Sequence, residues 1–292
     1  MIILDLQQVM LANLHMQLGN HQNAELDENI LRHMILNSIR AIRVKFPESE
    51  WGELVIACDS YNCWRREHYP YYKAQRAKNR KKSELDWTAI FEALNKVRAE
   101  LKEFFPYRVV EVVGAEADDV IGTLCYEFGA GGEEFDFIDL HSNNKGPILI
   151  ISGDKDFKQL HKFSNIKQYD PTRKKWVTVD DPAAYLAEHI LTGDVGDGVP
   201  NVLSDDDTFV DEKKRQKALT KQKMDKLLVD HSSAERNWKR NQILIDLSMI
   251  PSEIKSKILN EYETQAGKGK SKLANYFISR RMKLLHEHIN EF

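Results

Sequence analysis

Apolar positions along the first 190 or so residues fall into two alternating patterns. Short β-branched and aliphatic runs at Met1–Leu6, Glu53–Asp59, Tyr107–Val113 and Pro147–Ser152, each bounded by polar or glycine punctuation, predict four strands. Between them Asp27–Lys45, Asp86–Phe105 and Glu116–Phe128 repeat apolar residues at three-to-four spacing, the period of helices that bury one face. This alternation predicts an α/β fold with a mostly parallel central sheet flanked by helices. Two further runs, Asn165–Asp170 and Lys174–Val179, straddle a Pro-Thr-Arg turn and predict a hairpin or the sheet's edge. Beyond Gly193 the chain turns polar and helical in period, over Lys213–Asp230, Ala234–Leu247, Pro251–Tyr262 and Lys272–Ile289. Residues 1–192 therefore read as one domain and 193–292 as a C-terminal helical region. Two segments do not fit the sheet: the basic, aromatic stretch 61–84, and 129–146, a surface insertion bracketed by Gly-Ala-Gly-Gly and Ser-Asn-Asn-Lys-Gly.

Composition narrows the class. No apolar run approaches the ~18 residues that span a bilayer, and Met-Ile-Ile-Leu-Asp at the start has no secretory character. Three cysteines, Cys58, Cys63 and Cys125, form no CxxC pair, so disulfides and thiolate metal sites are not expected and a reducing cytoplasm fits. Cys58 reads as a small core residue and Cys63 as an exposed thiol. The formal charge of −3, from 42 basic and 45 acidic residues, argues against nucleic acid until its distribution is examined. Residues 61–82 hold eight Lys/Arg against one Glu, and 208–292 hold eighteen against eleven Asp/Glu, so each segment is +7 and the remainder −17. Two cationic surfaces surround an acidic centre.

The acids recur at one kind of place. Asp5 and Asp59 close the first two apolar runs, and Asp154 and Asp156 follow the Pro147–Ser152 run. Glu116, Asp118 and Asp119 open the helix after Tyr107–Val113, and Asp194 and Asp197 follow a helix ending near Leu191. Taken singly, each is as readily a turn former or helix cap as a ligand. Jointly, five segments placing carboxylates outside the carboxyl ends of one sheet, where α/β folds bind ligands, require cations between them. Oxygen donors without Cys or His at ligand spacing select Mg²⁺ or Mn²⁺ over zinc, and two such ions are the usual device for in-line phosphodiester hydrolysis. Beside Asp59, the 61–84 stretch interleaves Tyr61, Trp64, Tyr69, Tyr71 and Tyr72 with eight cations, a composition suited to phosphates and unpaired bases. It reads as an arch or lid over the cleft, disordered without DNA because its charges repel, with Tyr72 as a stacking platform.

In order and spacing, Ile3-Leu-Asp5, Val55-Ile-Ala-Cys-Asp59, Tyr69-Pro-Tyr-Tyr-Lys-Ala-Gln-Arg76, Ala115-Glu-Ala-Asp-Asp-Val-Ile-Gly122, Ile148-Leu-Ile-Ile-Ser-Gly-Asp-Lys-Asp-Phe157 and Leu191-Thr-Gly-Asp-Val-Gly-Asp-Gly-Val-Pro200 resemble the 5′-nuclease (flap endonuclease) superfamily. Trp64-Arg-Arg66, Lys174-Lys-Trp-Val177, Leu244-Ile-Asp246 and the terminal Ile289-Asn-Glu-Phe292 resemble, within it, the RNase H branch of T-even bacteriophages. The resemblance implies a structure-specific 5′→3′ exonuclease and flap endonuclease that removes RNA primers and 5′ flaps in DNA replication, leaving 5′-phosphates. It implies a first metal site of Asp5, Asp59, Glu116 and Asp118, with Asp119 in the same motif, and a second of Asp154, Asp156, Asp194 and Asp197. Two Mg²⁺ would be held, with Mn²⁺ able to substitute. Lys73 and Arg76 match the gateway pair that contacts the scissile phosphate. Arg65, Arg66, Tyr72, Arg80, Lys81 and Lys82 are expected along the DNA. One departure stands out: Leu203-Ser-Asp-Asp-Asp-Thr208 replaces the family's glycine-rich phosphate-gripping hairpin, leaving Lys213, Lys214 and Arg215 to hold the duplex. Expected partners are DNA and RNA–DNA duplexes with 5′ ends or flaps, and within replication a single-strand-binding protein and sliding clamp. The chain is expected to act as a monomer without a membrane, in the host cytoplasm if phage-encoded. The rival readings are a fork-binding module that has lost catalysis and a PIN-type ribonuclease.

Overall fold

The computed structural model describes residues 1–18, 27–82, 85–131 and 145–292, excepting the side chains of Ala77 and Lys81. Residues 83–84 of the expected arch and most of the expected 129–146 insertion lie outside these residues. Strand β1 (Ile2–Asp5) runs directly into helix α1 (Leu6–Leu18). Next come α2 (Glu28–Lys45), the short α3 (Glu48–Trp51) and β2 (Leu54–Ala57). The 61–84 stretch carries α4 (Arg65–His68) and α5 (Ala74–Lys82), followed by α6 (Trp87–Phe104), β3 (Arg108–Val110), α7 (Ala117–Phe128) and β4 (Ile148–Ile151). A 3-10 helix (Lys155–Lys162), β5 (Ile166–Asp170), β6 (Lys175–Val177) and α8 (Pro182–Thr192) complete the first part.

The strand order is β3-β2-β1-β4-β5-β6, parallel throughout except for β6, which pairs antiparallel with β5. The predicted hairpin is thus the sheet's edge. Chain order runs one way from β1 to β3 and the other from β4 to β5, so the topological switch lies between β1 and β4, where a crevice opens at the carboxyl ends. Alternation assigns side chains to the two faces: Ile2, Leu4, Leu54, Ile56, Leu149 and Ile151 to one core, and Ile3, Val55, Ala57, Ile148 and Ile150 to the other. Both faces are covered, which is why the runs read as continuously apolar. The helix starts follow local chemistry, since Asp27 and Asp86 accept hydrogen bonds from the first-turn amides of α2 and α6.

Helix α1 has no counterpart among the sequence-predicted elements. Its buried Leu6, Val9, Met10 and Leu14 do have helical spacing, but Leu11 and Ala12 between them and Met16 beyond blur the period. The C-terminal part contains α9 (Lys221–Val229), α10 (Glu235–Ile245), α11 (Ser252–Thr264), α12 (Leu273–Ser279) and α13 (Lys283–Glu287). The expected helix at 213–220 is instead irregular chain, and Lys272–Ile289 breaks at Arg281, which has φ 56°. The break turns Met282 and Leu285 inward, beside Leu273, Phe277 and Phe292, into the core on one sheet face; Leu244, Leu247 and Ile258 fill the other.

Candidate metal centre

The switch point between β1 and β4 opens into a cleft of about 470 Å³. Asp5, Asp59, Asp118, Asp154, Asp156, Asp194 and Asp197 line it, with Lys73, Arg76 and Lys155. Asp5 ends β1, where it accepts from the Gln8 amide (3.1 Å) and from Ser152 Oγ at the end of β4 (3.0 Å). Asp59 follows β2 and accepts from the Ala117 amide at the start of α7 (2.8 Å), bringing Asp118 into the cleft. Asp154 caps the 3-10 helix by accepting from the Asp156 amide (2.9 Å). Asp194 and Asp197 sit on a turn closed by reciprocal backbone bonds between Asp194 and Val199 (2.8 and 2.7 Å). That turn needs glycine at Gly193, whose φ is +69° and where an added Cβ would stand 2.4 Å from the Val199 carbonyl oxygen.

Electrostatics divides the acids into two groups. One group has protein cations beside it. Lys73 Nζ lies 2.7 Å from Glu116 and 3.6 Å from Asp197, Arg76 2.6 Å from Asp197, and Lys155 2.7 Å from Asp194. Burial alone would raise Glu116, but Lys73 and Arg65 hold it down to about 2. Asp194 is likewise lowered against burial, by its hydrogen bond to His189 and by Lys155. In the other group, burial and then neighbouring Asp59 and Asp154 push Asp5 up to about 7. Asp59, Asp118 and Asp156 are also raised by burial, with Glu116, Asp154 and Asp154 respectively adding repulsion. Asp156 Oδ1 is buried without a hydrogen-bond donor. A set of oxygen donors short of positive charge, with Asp5 buried and Asp59, Asp118 and Asp156 half-buried, fits hard divalent cations.

Two of the nine acids are not in the cleft lining. Asp119 is fully buried and closes a capping box with Glu116 at the start of α7, while its Oδ1 lies 2.8 Å from Arg65. Glu116 faces Lys73, Arg65 and the Tyr72 hydroxyl, which donates to it at 2.8 Å. Arg65, expected along DNA, is only 2 % exposed; it pairs with Glu116 and Asp119 and donates from Nε to the Leu244 carbonyl at 2.9 Å. Tyr72, expected to stack on a base, has its ring covered and its hydroxyl shared between Glu116 and Asp197 (2.9 Å). The 61–84 stretch is anchored in the core by Trp64, Arg65, Tyr69 and Tyr72, and Lys73, with φ 57°, lines the cleft. Buried carboxylates meet two of its charges, Arg65 through Asp119 and Glu116 and Lys73 through Glu116. Cys63, expected as an exposed thiol, is buried beside Arg65.

Other cations stay outward. Arg66 and Lys82 are exposed, Arg80 lies 5.7 Å from the Phe91 ring centre, and the Lys81 side chain is outside the described residues. Lys213 and Arg215 are exposed, whereas Lys214 pairs with Asp207 (2.6 Å) and Asp205 (3.4 Å). Asp205, Asp206 and Asp207 thus neutralise cations, Asp206 doing so for Arg236 and Arg240. Sequence reading missed Lys155 and His189. Lys155 lies between two acids of one motif; His189, five residues before Asp194, carried no local signal because its partner Asp156 is distant in the chain.

The model of the 5′-3′ exonuclease N-terminal resolvase-like domain matches residues 2–188, and that of the T4 RNase H C-terminal domain matches 185–292. The chain is 33 % identical over 305 residues to Ribonuclease H of Enterobacteria phage T4, covering 99 % of this chain and 95 % of that protein. A T5 protein co-crystallised with metal ions and the T5 5′-exonuclease with divalent zinc bound share its fold, with TM-scores of 0.60 and 0.61 at 17 % identity. Each alignment covers 91 % of this chain and 99 % of the other. Acid-lined cleft, sheet order and both halves of the sequence agree: the chain belongs to the 5′-3′ exonuclease family, with the C-terminal domain of the T4 RNase H type.

Proposed function

We propose that the chain is a metal-dependent, structure-specific 5′→3′ exonuclease and flap endonuclease that removes RNA primers and 5′ flaps during DNA replication. The observation that carries this reading is the group of buried and half-buried carboxylates at the switch point, short of positive charge, beside a basic arch. Asp5, Asp59, Asp118, Asp154 and Asp156, with Asp194 and Asp197, would hold two Mg²⁺, or Mn²⁺ in their place. When bound, such ions supply Lewis-acid stabilisation for in-line displacement at a phosphodiester. Lys73 and Arg76 draw the scissile phosphate to the rim. The Arg76 side chain is about half exposed, 48 %, so it can exchange Asp197 for a phosphate oxygen without burying a charge. Glu116 holds Lys73 in place. Arg66, Arg80, Lys81 and Lys82 track the 5′ strand, and Lys213 and Arg215, with Lys214 in support, meet the duplex. A replication single-strand-binding protein and sliding clamp are the protein partners, for a monomer working in the host cytoplasm. No helix among the described residues is long and apolar enough to cross a membrane.

The test is product-length analysis on matched flap, nick and RNA-primer substrates with Mg²⁺. Asp154→Asn and Asp59→Asn should lose cleavage while retaining DNA binding. Turnover retained in both variants would overturn the reading.

A further inference from the structure

Asp156 on the 3-10 helix after β4, His189 in the last turn of α8 and Asp194 in the turn that follows α8 are brought together by the fold, and only the acids were legible as a site. His189 sits near the end of α8 and is 6 % exposed. Its Nε2 lies 3.3 Å from Asp194 Oδ2 and its Nδ1 3.5 Å from Asp156 Oδ1. Neither Nδ1 nor that Asp156 oxygen has a hydrogen-bond partner, although both are buried. The ring is held from the side by Tyr185, 5.8 Å away between centroids, and α8 packs along the 3-10 helix that carries Asp156.

We propose that His189 is a positioning residue that sets the spacing and orientation of Asp156 and Asp194. The inference rests on the reading that the cleft acids hold divalent ions. The two imidazole nitrogens flank Cε1 on one rigid ring, with Nε2 set towards Asp194 and Nδ1 towards Asp156, so one side chain lies against both carboxylates. One oxygen of each acid is turned to the ring; the other oxygen of Asp156 is left for an ion, and that of Asp194, which accepts from the Asp197 amide at 3.1 Å, keeps a second lone pair for one. Lys155 also reaches Asp194, but it rises from the Asp156 loop on a half-exposed, flexible stem; the buried ring is the rigid link. A carboxylate ligand held by such an outer partner needs less ordering when an ion binds, which is how groups outside the ligand set tune affinity.

The experiment uses the full chain and Mn²⁺ alone as probe, with free Mn²⁺ counted by electron paramagnetic resonance and heats measured by calorimetry. His189→Leu removes both contacts while keeping apolar volume, His189→Gln keeps a polar group able to reach one acid, and Asp154→Asn reports on the cleft itself. The expected result is that His189→Leu weakens the weaker Mn²⁺ site about tenfold and leaves the tighter site and the KM for flap DNA unchanged. His189→Gln should recover part of the loss, and neither variant should lower the metal-free melting temperature. Wild-type Mn²⁺ affinities in His189→Leu would overturn the inference. So would equal weakening of both sites together with a lowered metal-free melting temperature, the mark of a general packing role. Wild-type Mn²⁺ binding by Asp154→Asn would remove the metal reading of the cleft itself, and that outcome is distinct from a failure confined to His189.

Discussion

Replacing Arg65 by methionine separates an arch that touches DNA with this residue from one that anchors itself with it. In the structure Arg65 is buried against Asp119 at 2.8 Å and Glu116 at 3.3 Å, and its Nε holds the Leu244 carbonyl, which joins the arch to α10. Removing the guanidinium leaves the fully buried Asp119 carboxylate without its cation. Uncompensated charges of that kind cost about 3–5 kcal/mol, against a total stability of roughly 5–15 kcal/mol. With an unfolding entropy of about 2.1 cal/mol/K per residue, this 292-residue chain changes by roughly 0.6 kcal/mol per degree, so the melting temperature should fall by about 5–8 °C. Thermal denaturation without metal measures this directly, and the salt dependence of flap binding supplies the control. The exposed neighbour Arg66, replaced in the same way, should leave melting unchanged and reduce the salt slope by about one. If Arg65→Met melts like the wild type and it is this variant that flattens the salt slope, the buried-anchor argument fails.

Added Mg²⁺ or Mn²⁺ should raise the melting temperature, by about 2.7 kcal/mol of stability at a hundredfold excess over Kd; chelation should reverse the rise and Asp154→Asn should abolish it, and a rise that survives in Asp154→Asn would place the ion elsewhere. Neutralising Lys213 and Arg215 together should weaken duplex binding more than neutralising Lys214, whose charge is already met by Asp205 and Asp207; equal losses in filter-binding titrations would contradict this. Gly193→Ala should misplace Asp194 and Asp197, because its Cβ would collide with the Val199 and Pro200 carbonyl oxygens at 2.4 and 2.6 Å; cleavage should fall steeply while affinity for DNA holds, and wild-type turnover would refute the argument. Glu116, held down to about 2 by Lys73 and Arg65, gives stability that is present above its unfolded value near 4.5 and lost as pH falls towards 2. Urea titrations at pH 5 and pH 3 should therefore show a smaller acid-induced loss in Glu116→Gln, and identical losses in both proteins would exclude that contribution.

Much of the fold was legible because it depends on neighbours in the chain. Runs such as Leu54–Ala57 and Ile148–Ile151 are apolar throughout because both faces of a parallel sheet are covered, and Asp27 and Asp86 mark helix starts by capping amides two or three residues on. The carboxylates of the cleft were legible for the same reason: each follows a recognisable strand or helix or opens a helix, and parallel strands share one carboxyl end. What failed locally was also physical. Helix α1 hid behind extra apolar residues, and the break at Arg281 became evident only once Met282 and Phe292 had a core to enter.

Charge partners were decided by the tertiary structure alone. Composition marks Arg65 and Arg66 as equal members of a basic run, yet one is buried on Asp119 and the other faces solvent. The acids Glu116, Asp118 and Asp119, within one turn, divide among a lysine and arginine clamp, the cleft and a buried ion pair. His189 gained its place between Asp156 and Asp194 through the packing of α8 on the 3-10 helix. Local sequence determined which segments carry carboxylates to the cleft, since capping and strand formation act over a few residues. Which of those carboxylates remain short of a cation was settled only by burial and by distances across the fold, because electrostatic energy depends on separation in space and on access to water.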